Sequence, residues 1–474
     1  MAGNLLVILS DEHQARAMGC AGHPFVKTPH LDRLAAQGTR FTKAYTPSPI
    51  CVPARASLAT GRPVHQTRCW DNAMPYTGET PGWGHALQAH GVPVTSIGKL
   101  HYRNDTDPTG FDRQHLPMHV AGGHGMVWGS VRREDQRGTR GGRMLGDKIG
   151  AGESTYTSYD RSVTDRTVEW LAEHAGNDQP WCLFVGLVAP HFPLVVPQAF
   201  FDLYPPEDLP PVKLHPTTGY RRHPWVEKQN ALMDTEAHFA SAGERLAAMS
   251  AYYGLCTWLD HNVGRILDAL DTSGQADATT VLYTSDHGDN LGARGLWGKS
   301  TFYEESVAVP LIMTGPEVPQ GTCDTPVSLL DVAQTIPDHF AIPFKTGNDT
   351  RSLKAMATAD PDPDRAVLSE YHAVGSVSGG FMLRTGKWKL NHYVGFPPEL
   401  FDLDADPEEL TDLAHLPELA PVLADLQTQL RDICDPDAVN QTAFADQSGL
   451  IAKFGGPEAA LTFGAPGATP PPAA

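Results

Sequence analysis

The chain has 474 residues, two to three times the usual length of a domain, so a large domain together with a smaller one is expected. Its 41% hydrophobic and 19% charged residues, with 45 glycines and 40 prolines, are typical of a loop-rich globular protein. Collagen-like, coiled-coil and wholly disordered chains are excluded. The 36 basic and 55 acidic residues give a net charge of −19, which argues against nucleic acid or an anionic membrane as a partner.

Residues 4–9 form a short apolar run without a basic flank or a small-residue cleavage site, which predicts a buried strand rather than a signal peptide. No window approaches the roughly 20 apolar residues that cross a bilayer. We therefore expect a cytoplasmic protein. The seven cysteines are scattered and lack zinc-binding spacing, so they are expected to be reduced and mostly buried thiols.

Short apolar runs bounded by turn residues predict strands, and patterns with a 3.6-residue period predict helices between them. The predicted strands lie at residues 4–9, 93–97, 181–187, 280–283 and 310–313. Their continuous apolar character is typical of parallel strands that are buried on both faces. The predicted helices lie at residues 30–38, 158–174 and 247–270. This alternation predicts an α/β fold whose sheet carries helices on both faces.

Two segments, residues 105–152 and 205–238, fit neither pattern and are expected to be long loops. After about residue 360 the pattern changes to antiparallel strands and a helix, predicted at residues 381–390, 399–403 and 416–434. We therefore predict a first domain over residues 1–365 and a smaller C-terminal α+β domain over residues 366–474.

The most informative segment is CVPARASLATGR at residues 51–62. It places the Cys51 thiol just before a proline-initiated helix start, where unpaired backbone N–H groups and the helix dipole favour anions. Arg55 lies one turn further along the same face. On these grounds alone, Cys51 is either part of an anion site or a packed cysteine before a helix.

The pattern C-x-P-x-R followed by T-G-R resembles the signature of the type I sulfatases, and the resemblance extends from Asn4 to the segment at residues 399–413. It implies an alkaline-phosphatase-like α/β fold with a large mixed sheet. It also implies that Cys51 is converted to formylglycine by a formylglycine-generating enzyme or an equivalent. The hydrated aldehyde would attack sulfur with inversion, giving a sulfated hemiacetal that eliminates sulfate.

Acidic side chains follow two of the predicted strands. Asp11 and Glu12 end the first strand, and Asp286 and His287 end a later one. Two acidic strand ends at one sheet edge would repel each other unless a cation lay between them, so a hard divalent ion is expected. The resemblance implies calcium, with Cys51 as a further ligand. Many relatives have aspartate in place of Glu12 and asparagine in place of His287, and because imidazole suits transition metals, manganese is the alternative.

Basic residues complete the site that the resemblance implies. Lys99 and His101 follow a strand, and strand alternation predicts that both side chains point to the same side. In the family this pair faces the formylglycine and the sulfate, the lysine stabilising the oxyanion and the histidine removing the proton that expels sulfate. His191 is implied as the acid for the leaving group, and Lys299 as a cation beside the sulfate oxygens, with Arg55 counted among the catalytic residues.

We therefore predict a sulfatase for a small sulfate monoester whose alcohol is aryl, alkyl or choline-like. The candidates for the wall of its substrate pocket are Trp70, Asp71, Asn72, Tyr102, Arg103 and Trp128. A phosphonate monoester or phosphodiester hydrolase of the same superfamily is the first alternative, but in that branch tyrosine and threonine replace Lys99 and His101. A secreted polysaccharide sulfatase would need an export signal. Outside the enzymes, the alternative is an anion-binding protein in which Cys51 is never converted.

The C-terminal segment predicts a homo-oligomer. Residues 435–463 carry regularly placed apolar side chains that need a surface to cover, and residues 464–474 are expected to form an extended, proline-rich tail. Cytoplasmic members of the family often assemble with such tails reaching a neighbouring subunit. The alternative is that the segment packs on its own chain.

Overall fold

The computed structural model describes residues 3–139, 144–464 and 469–472. Its strands are β1 (Asn4–Asp11), β2 (Thr39–Phe41), β3 (Ala44–Tyr45), β4 (Val94–Lys99), β5 (Arg113–Met118), β6 (Gly150–Ala151), β7 (Cys182–Pro190), β8 (Val195–Val196), β9 (Thr279–Ser285), β10 (Leu311–Thr314), β11 (Gly321–Cys323), β12 (Val327–Ser328), β13 (Val367–Tyr371), β14 (Gly380–Thr385), β15 (Trp388–Tyr393) and β16 (Glu399–Asp402). Eight of them form a mixed sheet in the order β11-β2-β10-β9-β1-β7-β4-β5. The predicted large mixed sheet is confirmed.

Helices cover both faces of this sheet. The helices of the described residues are α1 (Pro29–Gln37), α2 (Cys51–Thr60), α3 (Val64–Thr67), α4 (Trp83–Ala89), α5 (Thr155–Glu173), α6 (Gln198–Phe201), α7 (Pro224–Asn230), α8 (Ala242–Thr272), α9 (Glu304–Val307), α10 (Leu329–His339), α11 (Leu353–Thr358), α12 (Ala420–Ile433), α13 (Pro436–Lys453) and α14 (Pro457–Leu461). The predicted helices correspond to α1, α5 and α8. Serine hydroxyls start two of them, because Ser154 accepts the N–H of Thr157 and Ser241 accepts that of Glu244.

The apolar run of β1 explains why the sheet is buried on both sides. Leu6 and Ile8 pack into a cluster with side chains of α5 and α8, whereas Leu5, Val7 and Leu9 pack into a second cluster with α2, α4 and α10. Successive residues of a strand point to opposite faces, so a strand covered on both sides must be apolar throughout.

The direction predicted for the strand at residues 310–313 is wrong. β10 pairs with β9 in antiparallel register, Leu311 opposite Thr284 and Met313 opposite Leu282, whereas β1 runs parallel to both β7 and β9. β10 is nevertheless almost wholly buried. A continuous apolar run reports burial on both faces, and an antiparallel strand inside a mixed sheet meets the same condition.

The two segments predicted as loops contain short regular elements. Residues 105–152 include β5 at the edge of the main sheet, and residues 205–238 include α7. β5 is largely half-exposed, so its sequence lacks the apolar run that marks the central strands. Residues 140–143 of the first predicted loop lie outside the described residues.

The C-terminal part forms the four-stranded antiparallel sheet β13-β14-β15-β16, against which α12 packs. The antiparallel strands and the helix predicted here are confirmed, although β13 was not anticipated. The domain boundary at residue 365 stays a prediction.

Residues 435–463 pack on their own chain. Helices α13 and α14 place Leu450, Phe454 and Leu461 against a cluster that includes Val127 and Val131. Their apolar side chains therefore have a surface without a neighbouring subunit, which corrects the reason for predicting an oligomer, and the oligomeric state itself stays a prediction. Within the described residues, no helix combines the length and apolar character needed to cross a membrane.

Candidate active site

Two neighbouring strands bring the predicted acidic residues together. β1 and β9 run parallel with Ser10 opposite Ser285, so the residues that follow, Asp11 and Asp286, end side by side. The backbone N–H of Glu12 donates to Asp286 Oδ1 at 3.2 Å, which ties the two strand ends. The carboxyl edge of the sheet is where ligands collect in open α/β folds.

Cys51 lies at the N-terminus of α2, directly over this edge. Its side chain is buried, with Sγ 3.2 Å from His287 Nε2 and 3.8 Å from Asp11 Oδ1. Burial, with Asp11 adding to it, raises the pKa of the thiol to about 11. An unmodified Cys51 is therefore a neutral thiol near neutral pH, a weak nucleophile.

Arg55 bridges the two carboxylates, a contact that the sequence reasoning missed. Its Nη2 lies 3.0 Å from Asp11 Oδ2 and its Nε lies 2.8 Å from Asp286 Oδ2. Lys99 Nζ also reaches Asp11 Oδ2, at 2.6 Å. The expectation that a metal ion alone would separate the acidic strand ends is thus incomplete, because a guanidinium already lies between them.

Burial opposes ionisation of Asp11, but the neighbouring cations outweigh it and hold its pKa well below the usual value. The neighbouring basic groups responsible are Lys99, His191, Arg55 and Lys299. Asp11 is therefore an anion at neutral pH, although it is fully buried.

The outward-facing atoms of these residues form a candidate metal centre. One atom each from Asp11, Cys51, Asp286 and His287 lies within 4.8 Å of the others. His287 Nδ1 is 3.1 Å from the carbonyl of Gly288, and because a carbonyl only accepts, Nδ1 carries the proton and Nε2 presents its lone pair to the group. Two carboxylate oxygens and an imidazole nitrogen suit a divalent cation.

Glu12 lies outside this group and faces two basic side chains instead. Its Oε2 is 2.9 Å from Lys299 Nζ and 3.3 Å from His191 Nε2, while Oε1 has no hydrogen-bond partner in the part of the chain that the structure describes. With Asp11 and His191 it forms a second cluster of ligand-type atoms. Burial raises the pKa of the Glu12 carboxyl well above its usual value. Its place among the metal ligands stays a prediction.

A distortion of β4 directs Lys99 into the site. The ladder between β4 and β5 shifts register between Ile97 and Lys99, and Gly98 between them has a φ of +99°. A side chain at Gly98 would collide with the carbonyl oxygen of Gly186, only 2.2 Å from the Cβ position. Glycine at this position allows the bulge and the close approach of the neighbouring strand.

His101 reaches the same cavity as Lys99, but not by strand alternation. β4 ends at Lys99, and His101 has a φ of +60°, so the extended geometry assumed from the sequence does not continue. His101 Nε2 is 2.8 Å from the hydroxyl of Thr469 in the C-terminal tail. Burial together with the positive charges of Lys99 and Arg55 lowers the pKa of His101 well below its usual value. The ring is therefore neutral at neutral pH.

His191 stands at the end of β7. Its Nδ1 is 2.5 Å from the carbonyl oxygen of Phe192 and therefore donates, leaving Nε2 toward Glu12 and Asp11. Burial and the charge of Lys299 lower the pKa of His191 well below its usual value.

These side chains meet at a cavity of about 90 Å³. Five of the predicted residues line it, Cys51, Lys99, His101, His191 and Lys299, whereas Asp11, Glu12, Arg55, Asp286 and His287 lie buried beneath or behind them. Most of the remaining wall is apolar or aromatic, formed by Met126, Trp128, Met144, Tyr156, Phe192, Leu232, Met233, Leu296, Trp297 and Val374. Among the described residues of the lining, none is Asp or Glu.

The sequence-based prediction of the pocket wall is only partly right. Asn72 and Trp128 line the cavity, but Trp70, Asp71, Tyr102 and Arg103 do not. Arg103 pairs with Asp107 at the surface, and the Trp70 indole N–H donates to Asp446 at 2.7 Å. Tyr156, Trp297 and Thr469 were missed because they come from a helix, a distant loop and the tail, none of which carries a local signal.

The family follows from comparison with known proteins. A model of the family described as Sulfatase matches residues 3–342. This chain belongs to the sulfatase family. A second model, the C-terminal region of N-sulphoglucosamine sulphohydrolase, matches residues 292–435 of this sulfatase. The resemblance seen in the sequence, and with it membership of a family of sulfuric ester hydrolases, is confirmed.

Relatives of this sulfatase span nearly its whole length. It is 33% identical to choline-sulfatase of Rhizobium meliloti, over 91% of this chain and 86% of that protein. It is 29% identical to arylsulfatase K of Danio rerio, over 93% of this chain and 85% of that protein. Its fold matches the phosphonate monoester hydrolase of Agrobacterium radiobacter with a TM-score of 0.75 at 23% identity, covering 91% of this chain and 95% of that one. The last likeness concerns the fold alone.

Proposed function

We propose that this sulfatase hydrolyses a small sulfate monoester with a formylglycine derived from Cys51 and a divalent metal ion. The observation that carries the proposal is the meeting of Cys51 with two lysines and two histidines at one cavity above the Asp11–Asp286–His287 group. A sulfate ester is anionic, and the described residues of the lining offer cations without a carboxylate that would repel it.

The metal would be held by Asp11 Oδ1, Asp286 Oδ1, His287 Nε2 and the side chain at position 51, with Glu12 as the remaining predicted ligand. Calcium is proposed, with manganese as the alternative that His287 favours. Such an ion supplies positive charge that polarises the sulfate and the attacking hydroxyl. The Arg55 guanidinium fixes both carboxylates from the opposite side, because it contacts their Oδ2 atoms.

Formylglycine, made by a separate converting enzyme, would supply a hydrated aldehyde, with one hydroxyl as the nucleophile for sulfur and the other as the group whose deprotonation re-forms the aldehyde and expels sulfate. Lys99 lines the cavity beside it and stabilises negative charge that develops on its oxygens. Lys299 lies close to the reacting sulfate oxygens in this assignment and neutralises them. The unmodified Cys51 thiol, with its raised pKa, would be a poor nucleophile for the same task.

The two histidines take opposite roles. His101 is neutral because its pKa is lowered, so it can accept the proton that leaves the second hydroxyl. His191 would donate a proton to the departing alcohol. Its lowered pKa opposes this role in the free protein, but a bound sulfate ester places negative charge beside the imidazole and favours its protonated form.

The alcohol is proposed to be small and aryl, alkyl or choline-like. The cavity is small, and Trp128, Trp297 and Phe192 are among its lining residues. Aromatic side chains suit either an aryl ring or a quaternary ammonium. A cytoplasmic location and a homo-oligomer are part of the same proposal.

Mass spectrometry of the tryptic peptide 44–55, together with turnover of nitrophenyl sulfate and choline sulfate, tests the proposal. We expect the mass of formylglycine at position 51, hydrolysis of at least one of these sulfates, and loss of at least about a thousandfold in kcat for Cys51→Ala. Full activity of Cys51→Ala would contradict the assignment. An unconverted, inactive protein that binds sulfate would favour the anion-binding alternative.

The second candidate is a phosphonate monoester hydrolase, favoured by the fold likeness alone. Lys99 and His101 both line the cavity, where the resemblance implies tyrosine and threonine in that branch. We expect kcat/KM for nitrophenyl sulfate to exceed that for nitrophenyl phenylphosphonate, and the reverse order would select the second candidate.

A further inference from the structure

One face of α5 contacts the segment that carries His191. Tyr156 and Asp160 lie one turn apart on this helix. The Tyr156 ring packs edge-on against the imidazole, with ring centres 5.7 Å apart. The Asp160 carboxylate accepts the backbone N–H of Val188 at 2.7 Å and of Ala189 at 2.8 Å, just before Pro190 and His191.

The sheet itself does not hold this part of β7. The recorded pairing with β4 ends at Gly186, and the pairing with β1 is interrupted between Gly186 and Pro190. Two successive buried N–H groups are therefore presented where the strand ladder is broken, and Asp160 accepts both. Unpaired buried N–H groups are costly, so the carboxylate determines where this turn can lie.

Asp160 is a buried acid in the middle of a helix, only 1% exposed, with no salt bridge to any described residue. Burial raises its pKa to about 7, although the two N–H donors oppose the rise. A carboxylate in such surroundings costs folding free energy that an apolar residue would avoid. The two hydrogen bonds that Asp160 accepts from the His191 segment offset this cost.

We propose that Asp160 is a positioning residue for His191, holding the end of β7 so that the imidazole meets the oxygen of the leaving alcohol. The inference rests on the proposed function, in which His191 is the acid. Asp160 is not one of the residues that line the cavity, so it acts through His191 and not on the substrate. Its loss should therefore reproduce, in weaker form, the defect caused by loss of His191.

Asp260 offers a matched control. It is also a buried helical aspartate, 1% exposed, which accepts the N–H of His30 at 3.1 Å and of Leu31 at 2.8 Å. Burial raises its pKa to about 7 as well. It caps the start of α1 and has no part in the cavity, so Asp260→Asn removes the same kind of contact without touching His191.

The experiment measures kcat and KM for alkyl and nitrophenyl sulfates in Asp160→Asn, Asp260→Asn and His191→Ala. We expect Asp160→Asn to lower kcat for alkyl sulfates roughly 10- to 100-fold more than for nitrophenyl sulfate, with little change in KM. The Asp260→Asn variant should affect all substrates alike. In the His191→Ala background, Asp160→Asn should lower kcat by less than a further threefold, because the two substitutions impair the same function.

A second readout does not depend on turnover. In protein labelled with ¹⁵N-histidine, the His191 ring signal, identified by its absence in His191→Ala, should move in Asp160→Asn and stay in place in Asp260→Asn. An unmoved signal, or equal losses of kcat across the alcohols, would overturn the inference. If Asp160→Asn does not fold, Asp160→Glu keeps both acceptor oxygens, displaces them by one methylene and carries the same expectation. A wild-type protein that hydrolyses no sulfate ester would instead refute the proposed function, whichever way the ring signal behaves.

Discussion

Arg55 and Lys99 both contact the same oxygen of Asp11, Oδ2, and so determine that the other oxygen, Oδ1, faces Cys51 and His287. Asp286 is divided in the same way, with Oδ2 on Arg55 and Oδ1 toward His287. A metal ion and a guanidinium would therefore share two carboxylates from opposite sides. In each of the two aspartates, one oxygen therefore pairs with Arg55 and the other is the candidate metal ligand.

Removing the guanidinium should make the protein depend on the metal for stability. In Arg55→Met two buried carboxylates lose the guanidinium that they share, and although Asp11 keeps Lys99, we expect a loss of about 3–5 kcal/mol in the free energy of unfolding in EDTA. Added calcium should restore more of the Tm in this variant than in the wild type. Arg68→Met, which removes an exposed pair with Asp446, is the control and should change the Tm little. An Arg55→Met protein as stable as the wild type in EDTA would contradict the argument.

The metal ligands can be separated from their neighbours by metal content. Asp286→Asn should lose most bound metal after dialysis, because it weakens one of the two carboxylates in the group. Glu12→Gln should lose less metal than Asp286→Asn, since Glu12 Oε2 faces Lys299 and His191 and Glu12 lies outside the group of Asp286. Elemental analysis of both variants decides the matter, and equal losses of metal would contradict the weaker role of Glu12.

The lowered pKa of His101 predicts the acidic limb of the pH profile. A base must be unprotonated, and a pKa below the ordinary histidine value of 6.5 keeps it so at more acidic pH. We therefore expect the acidic limb of kcat/KM to have its midpoint below pH 6.5. Because the charge of Lys99 is one cause of the lowered pKa of His101, Lys99→Met should raise that pKa. The acidic limb of the variant's residual activity should then move to higher pH. A wild-type midpoint above 6.5 would argue against His101 as the base.

At the scale of elements, a buried ion pair ties α10 to the segment that leads into the C-terminal sheet. Asp331 in α10 receives both terminal nitrogens of Arg365 at 2.8 Å, and both side chains are nearly inaccessible. Arg365→Met leaves Asp331 unpaired and should cost about 3–5 kcal/mol in denaturant unfolding. Lys354→Met, which removes an exposed pair with Glu317, should cost less than about 1 kcal/mol. Equal losses in the free energy of unfolding for the two substitutions would show that the Asp331–Arg365 pair does not stabilise this junction.

Elements with a strong local signal were predictable, and those defined by distant contacts were not. The central strands and α1, α5 and α8 have apolar periods that report their burial. The direction of β10 depends instead on its pairing with β9, which no property of residues 310–313 encodes. The edge strand β5 was not predicted, because an exposed strand has no continuous apolar run.

The same distinction applies to the candidate site. Cys51 and the polar residues at strand ends belong to short motifs, and the structure brings them together within one region. Arg55 was found in the motif, but its place between Asp11 and Asp286 depends on how α2 packs over the sheet. Tyr156, Asp160 and Thr469 have no motif, since their contacts join positions far apart in the sequence.

At the scale of the whole molecule, α13 is part of the main body. Gln447 is buried and donates to Asp71 at 2.7 Å and to the carbonyl of His372 at 2.9 Å, while Arg132 donates to its side-chain oxygen. These contacts join the C-terminal helices to the loop that forms one wall of the cavity. A truncation that removes α13 would therefore disturb the fold as well as any subunit contact.

A shorter truncation tests the predicted oligomer without that damage. Removing residues 464–474 leaves α13 and α14 in place, so the Tm should change by less than a few degrees. Light scattering on the wild type and on the truncated protein then reports the mass. An oligomer that loses subunits on truncation would support a tail-mediated assembly, and a monomeric wild type would refute it.

Thr469, in the C-terminal tail, contacts two residues of the candidate active site. Its hydroxyl touches His101 and its carbonyl oxygen accepts the Tyr156 hydroxyl at 2.6 Å. An affinity tag, a fluorescent fusion or a surface linkage attached after Ala474 would begin only five residues after Thr469 in the sequence. Preparations tagged at opposite ends should thus give different kinetic constants, and an N-terminal tag is the better choice for assays of substrate preference.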